Sequence, residues 1–355
     1  MSQPAQNREG GFALLLVVFI LSLASIVALE TGRMAFFDRR NTRGFVESIQ
    51  GEYVLKSGLN LARVLLELPK LEGVNEDWLG DPWAMIGQAP SLPIEGLTGE
   101  PRISIVDNSG LININALGND TSQAGIFTGF NNPQTQGGGI SDRRSAFWKH
   151  AAANLFEEIG LVREELGTDS LSTIGGVAFG PPLLPSVIDD WIDGDNQSFS
   201  SENYDVEGVE SFAPKEFFFN RKLYAIEELM NIPGFTSSRV LMLSKFLRAD
   251  PGINNNQLIN INTAPAEVLA AMGLSGVEIS QAIEERLNLP VTSNILQTLL
   301  APYPELKPYF SVNSNSFSVY VRAKMPSRSR WLHAIVTTSG MPPSRNTYPT
   351  ALTFQ

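Results

Sequence analysis

Between Phe12 and Leu29 the chain carries no charge, no glycine and no proline. At about 1.5 Å rise per residue this run makes a helix of ~27 Å, just enough to cross a hydrocarbon core. An ordinary secretory signal places its cleavage site after the apolar stretch, at small residues. Ala28-Leu29-Glu30-Thr31-Gly32 is a poor site of that kind, so the apolar segment is expected to stay in the chain. The helical pattern also continues past it. Val46, Ile49, Tyr53, Leu61, Leu65 and Leu68 recur at three-, four- and near-seven-residue steps, with charges between them. No proline occurs from Gln6 to Leu68, and Pro69 marks the expected end. The sequence therefore predicts one helix over 12–68, transmembrane over 12–29 and amphipathic beyond.

A chain of 355 residues has ample length for a sizeable core and for two or three structural units. Its formal net charge of -11 argues against a nucleic-acid partner, because phosphate binding needs clustered Lys and Arg. Without cysteine there is no disulfide framework, no thiol nucleophile and no Cys-ligated zinc. His150 and His333, the only two histidines, lie far apart in sequence and make no metal cage. No G-x-S-x-G elbow, H-E-x-x-H or phosphate loop is present, and the reading is of a non-enzyme. One feature resists easy assignment. Arg8 and Glu9 nearly cancel before the span, whereas Arg33, Arg39, Arg40 and Arg43 follow it. By the positive-inside rule alone, the orientation is ambiguous or reversed.

Residues 70–100 are rich in Gly, Pro and Trp and are expected to be a loop with short turns. Arg102–Val106 and Leu111–Asn115 alternate apolar residues on either side of Asp107-Asn108-Ser109-Gly110, which predicts a β-hairpin. A second β region covers Phe317–Arg322 and Trp331–Thr337. Between these regions the pattern is helical, over 146–166, 181–193, 223–231, 236–248, 264–272 and 276–287. Thr263 is expected to cap a helix whose first turn holds Pro265. Asp189, Asp190, Asp193 and Asp195 fall within seven residues, with Glu202 and Asn203 shortly after. Loop carboxylates of this kind are what a hard cation such as calcium requires, and equally what a solvated helix end displays. Starting from Asp193, the sixth place is Ser198 and the twelfth is Tyr204, so the loop is no EF-hand.

The order of leader, Gly11, Phe12 and apolar run resembles the class III signal of type IV prepilins and type II secretion pseudopilins. That resemblance implies cleavage after Gly11 by a prepilin peptidase, and methylation of Phe12. Further stretches narrow it. They are Asp107-Asn108-Ser109-Gly110-Leu111-Ile112-Asn113-Ile114-Asn115; Asp190-Trp191-Ile192-Asp193-Gly194-Asp195 with Asn220 and Glu228–Phe235; and Ile259–Leu269. Together they are similar to the K-type minor pseudopilins of type II secretion systems. Pilins carry Glu four residues after the methylated Phe, where it neutralises a neighbour's N-terminal amine; here that place is Leu16. K-type pseudopilins share the exception, which implies a place at the filament tip.

The resemblance implies an α+β fold: a long N-terminal helix, a pilin-like antiparallel sheet, and a large, mostly α-helical, SAM-like insertion between strands. The corresponding domains are a leader over 1–11, the helix over 12–68, a core over 69–116 and 311–355, and an insert over 117–310. It also implies calcium held by Asp190, Asp193, Asp195 and Glu202. The implied partners are the I-type and J-type minor pseudopilins, the major pseudopilin and the prepilin peptidase, with no nucleic acid. The implied location is the inner membrane, crossed once, with the bulk in the periplasm. Two other readings remain at this stage: a minor pilin of a type IV pilus or DNA-uptake system, and a membrane-tethered periplasmic hydrolase.

Overall fold

The computed structural model describes residues 9–71, 75–89, 100–118, 140–162, 173–174, 177–178, 183–194, 209–210, 218–252, 257–274, 276–339 and 346–354. Helix α1 (Glu9–Leu71) is continuous, with Pro69 in its last turn. Its apolar segment is wholly exposed, and by length and composition it is able to cross a membrane. The other half is held down. Val54, Leu55, Leu59, Ala62 and Leu66 recur at helical spacing and are buried.

They lie on a sheet. Helix α2 (Pro82–Met85) precedes β1 (Glu100–Asp107), and the main sheet is completed by β8 (Ser316–Lys324), β9 (Ser329–Ser339) and β10 (Asn346–Phe354). The order is β1-β8-β9-β10, antiparallel throughout. Phe317, Val319, Val321 and Ala323 alternate along β8 and are fully buried beneath α1. Gly58 sits at the closest approach, where a Cβ would lie 2.5 Å from Val321 Cγ1. Trp83 of α2 closes the end of this core, edge-on to Phe317 at 5.1 Å. The stretch over 70–100, expected as a loop, thus contributes a core tryptophan.

A second core fills the insertion, which contains β2 (Ile112–Asn113), α3 (Ile140–Glu158), the hairpin β3 (Thr173–Ile174) and β4 (Val177–Ala178), and α4 (Leu184–Ile192). It continues through α5 (Ser237–Leu243), β5 (Leu247–Arg248), β6 (Ile259–Asn260), α6 (Ala266–Ala271), α7 (Val277–Glu285), α8 (Ser293–Leu299) and β7 (Phe310–Ser311). Ile112, Ile114, Trp148, Phe156, Ile188, Trp191 and Val312 belong to one hydrophobic cluster distinct from that under α1. The α+β architecture with a helical insertion between strands is therefore observed.

The hairpin expected around Asp107–Gly110 does not form. Strand β1 pairs instead with β8, from Glu100 opposite Lys324 to Asp107 opposite Phe317. Asp107–Gly110 is a turn, but it leads out of the sheet: Ile112 and Asn113 pair in parallel with Leu247 and Arg248. Alternation around turn residues specifies two extended segments and not their partner. Ile112 and Ile114 find more apolar surroundings in the insertion core than at a sheet edge. Other differences are local. The expected 146–166 helix ends sooner because Gly160 takes φ +74°, reversing the chain with Gly160 N–H donating to Glu157 O. Residues 226–231 form a 3₁₀ helix, α8 was not anticipated, and neither was β10, whose Pro349 sits beside a register shift on the sheet edge.

Candidate functional site

The acidic cluster lies at the end of α4. Asp189, Asp190 and Asp193 are all buried, at 1%, 0% and 3% exposure. Each is engaged. Lys149 Nζ of α3 lies 2.5 Å from Asp189 Oδ2, both groups out of solvent. The backbone N–H groups of Val209 and Glu210 donate to Asp190 Oδ2 at 2.5 and 2.9 Å. Burial, helped by the charges of Asp193 and Asp190 and opposed by Lys149, pushes the Asp189 carboxyl up to about 7. Glu210, which the sequence did not single out, is also buried. Four buried carboxylates therefore accompany one buried ammonium, and oxygen-only donors in such excess suit a hard cation. Among the described residues no three of them converge on a point that a metal could occupy. Asp195 and Glu202 lie outside the described residues.

A second polar constellation joins the sheet to the insertion. Asp107, at the end of β1, is buried; its Oδ1 accepts from Ser109 N–H at 2.7 Å. Its Oδ2 accepts from Ser314 Oγ at 2.5 Å, Thr263 Oγ1 at 2.5 Å and Asn260 Nδ2 at 3.3 Å. Desolvation pushes this carboxyl above its ordinary range, opposed by the two hydroxyl donors. Gly110 is required here, since a Cβ would meet Thr263 Oγ1 at 2.8 Å and Ala264 N at 3.0 Å. Thr263 is not the helix cap expected from the sequence. The N-cap is Pro265, with no side-chain bond, and the Thr263 hydroxyl is spent on Asp107.

The two asparagine motifs are one device used twice. Leu111-Ile112-Asn113-Ile114-Asn115 and Leu258-Ile259-Asn260-Ile261-Asn262 share the same five residues, and an internal-repeat search would have found them. Each Ile-Asn pair forms a two-residue strand with a parallel partner. In each, the first Asn accepts from the backbone N–H of the second, at 3.3 and 2.9 Å. The second Asn then pairs reciprocally with a distant backbone. Asn115 holds Leu223 N–H and C=O, both at 2.8 Å, and Asn262 holds Val291 N–H and C=O at 2.8 and 3.0 Å. Buried amides thus stand in for missing strand neighbours.

At the other end of the molecule, Gly11, Phe12 and Leu16 all lie in α1, with Phe12 and Leu16 exposed on its surface. They are remote from the acidic cluster in sequence, so the sequence-derived site residues fall into two separate groups.

No family model matches the chain, and no curated protein matches it by sequence. Among solved structures, one chain from the crystal structure of the GspK-GspI-GspJ complex of the enterotoxigenic Escherichia coli type 2 secretion system is similar in fold. The likeness has a TM-score of 0.56 at 16% identity, and covers 89% of this chain and 99% of that one.

Proposed function

We propose that this chain is a minor pseudopilin of a type II secretion system, of the K type, acting as a non-enzymatic assembly subunit. One observation carries the reading: the fold likeness runs through helix, sheet and insertion together, covering nearly all of both chains. The exposed apolar half of α1 supports a single-pass membrane anchor; on the pseudopilin reading that membrane is the inner one and the rest of the chain is periplasmic. I-type and J-type minor pseudopilins are the expected partners, since the similar structure is a complex of three such components. Leu16 offers no counter-charge to a neighbouring subunit's amine. The insertion adds bulk where a filament interior would pack globular domains around bundled helices. Both favour a place at the tip, where assembly would begin.

The expected mature protein starts at Phe12, carries one added methyl group there, and fails to form when Gly11→Val blocks the peptidase. Intact mass of the chain extracted from membranes checks this. A mature chain starting at Met1, or cut near residue 30, would defeat the processing. Cross-linking tests the placement separately: recovery along a filament shaft in amounts comparable with the major subunit would sink the tip assignment.

The acidic cluster adds a calcium site to the proposal. Asp190 and Asp193, with Asp195 and Glu202 of the following segment, would supply the oxygens, and the ion would offset the buried carboxylate excess. Its role would be structural, tying α4 to the segment after it. A ligand that binds only the folded state raises stability by about 2.7 kcal/mol at a hundredfold excess over its dissociation constant. The melting temperature should accordingly rise with calcium in the wild type and not in Asp193→Ala/Asp195→Ala. Calcium-independent melting of the wild type would refute the site.

A further inference from the structure

We infer that the membrane-proximal end of this protein is a docking surface for anionic phospholipid headgroups, built by Arg33, Arg39, Arg40 and Arg43 of α1 with Arg328 of the β8–β9 turn. The inference rests on the reading of Phe12–Leu29 as membrane-spanning. Within a chain of net charge -11, residues 32–44 hold four arginines and one acid, Asp38. Arginines on the translocated side run against the usual loop bias, so their presence calls for a use on that side.

Their position supplies it. Met34, Phe36 and Phe37 are exposed and prolong the apolar surface of α1 beyond Leu29. Arg33 lies inside that stretch, with a stem long enough to carry its guanidinium outward. Arg39 and Arg40 follow Phe37 by ~3–5 Å of helix rise and Arg43 by ~9 Å. The headgroup layer is about 5–7 Å deep and the Debye length beyond it about 8–10 Å, so all of them sit where an anionic surface acts.

Arg33, Arg40, Gly44, Glu47 and Gly51 are spaced by seven, four, three and four residues and therefore share one face of α1. That face carries the sheet: Glu47 is buried, and a Cβ on Gly51 would lie 3.1 Å from Arg330 Cδ. Arg33 and Arg40 thus point beneath the sheet, toward the bilayer. The β8–β9 turn is pinned there, with Arg328 Nη2 donating to Gly44 O at 2.7 Å and Arg330 Nη1 to Ser48 O at 2.8 Å. Between turn and helix runs a groove of ≈ 510 Å³, with Arg40, Arg43, Pro326 and Arg328 in its walls.

Arg39 and Arg40 are exposed and make no hydrogen bond or ion pair with the described residues. Among the described residues Arg33 pairs only with the exposed Glu30, at 3.4 Å, and Arg43 pairs with Glu47 at 3.1 Å while 76% of its side chain stays in solvent. Among the described residues the acids facing the patch are thus Glu30, Asp38 and Glu47, outnumbered by these four arginines of α1 with Arg328. Charge complementarity and continuity with the spanning segment commit the surface to lipid.

The test uses the full-length chain in neutral detergent, titrated with micelles carrying labelled phosphatidylglycerol or phosphatidylcholine. The expected result is at least tenfold tighter retention of phosphatidylglycerol in ~50 mM salt, largely abolished in ~500 mM. Arg39→Gln/Arg40→Gln should weaken it about 10- to 30-fold, with the melting temperature unchanged. Inorganic phosphate at ~10 mM should not displace the lipid beyond its effect as salt. Equal retention of the two lipids, insensitivity to the double variant, displacement by phosphate, or capture of an acidic protein in place of lipid would each overturn the inference. If alkaline carbonate strips the chain from membranes, the spanning reading itself fails. An integral chain without lipid preference defeats this inference alone.

Discussion

Asp107→Ala should cost about 3–5 kcal/mol, the loss expected when one partner of a buried charged network is removed. The side chain lies at the joint between sheet and insertion. Three donors lose their short bonds to it, Ser109 N–H, Thr263 Oγ1 and Ser314 Oγ, whereas Asn260 Nδ2 gives up its longest bond and keeps those to Asp77 O and Ser314 Oγ. Each buried donor left unsatisfied costs about 1–3 kcal/mol, and the sum is less than additive because the site relaxes. Asp107→Asn keeps the shape but replaces one acceptor oxygen with a donor, so it should fall between wild type and Ala. The pH dependence has a definite sign. Because burial raises this carboxyl above the ordinary 3.8, the folded state holds a proton that the unfolded chain has already released. Its contribution is fully present below the ordinary value and is lost as pH rises through the raised one. Denaturant unfolding of the detergent-solubilised chain across pH checks both effects. A cost below about 1 kcal/mol for Asp107→Ala would show that the joint is held by packing alone.

Lys149→Met should be comparably damaging near neutral pH, again by about 3–5 kcal/mol. The substitution keeps much of the side-chain volume and removes the ammonium that lies 2.5 Å from Asp189 Oδ2. Asp189 is then left beside Asp190 and Asp193 with no buried cation of its own. Since the Asp189 carboxyl already sits at about 7 with Lys149 present, its contribution to stability is lost as pH rises through that value. Without the lysine it rises further, so the penalty of Lys149→Met should shrink in acid, where the carboxyl is protonated in both states. Lys149→Met/Asp189→Leu should recover most of the loss, because the charge and its partner leave together. A penalty that is flat between pH 5 and 8 (roughly the span over which a carboxyl near 7 titrates) would mean that Lys149 acts through packing alone. So would a double variant no better than the single.

Much of the architecture was legible in residue order. The apolar run from Phe12, the helical spacing that continues to Leu68 and the alternation along Phe317–Arg322 each carry a local period, and each became the expected element. The acidic stretch was legible as composition, but its environment was not: that Asp189 would face Lys149, forty residues earlier in the chain, follows from α3 packing near α4. Glu210 had no signal at all, being brought to Asp190 only by the path of the backbone.

What the sequence determined by itself was therefore local: a membrane-length helix, strands with a buried face, and a helical block between them. Periodicity records which side of an element is apolar, and that is decided within a few residues. Only the tertiary structure decided which strand met which. The segment after Asp107 was equally fit to fold back on β1 or to enter the insertion, and the choice was settled by β8, some two hundred residues further along the chain, taking the place beside β1. Thr263 likewise could cap a helix or bind a carboxylate, and the arrival of Asp107 decided it. A polar group's partner depends on what the fold brings within ~3 Å, which no local pattern encodes.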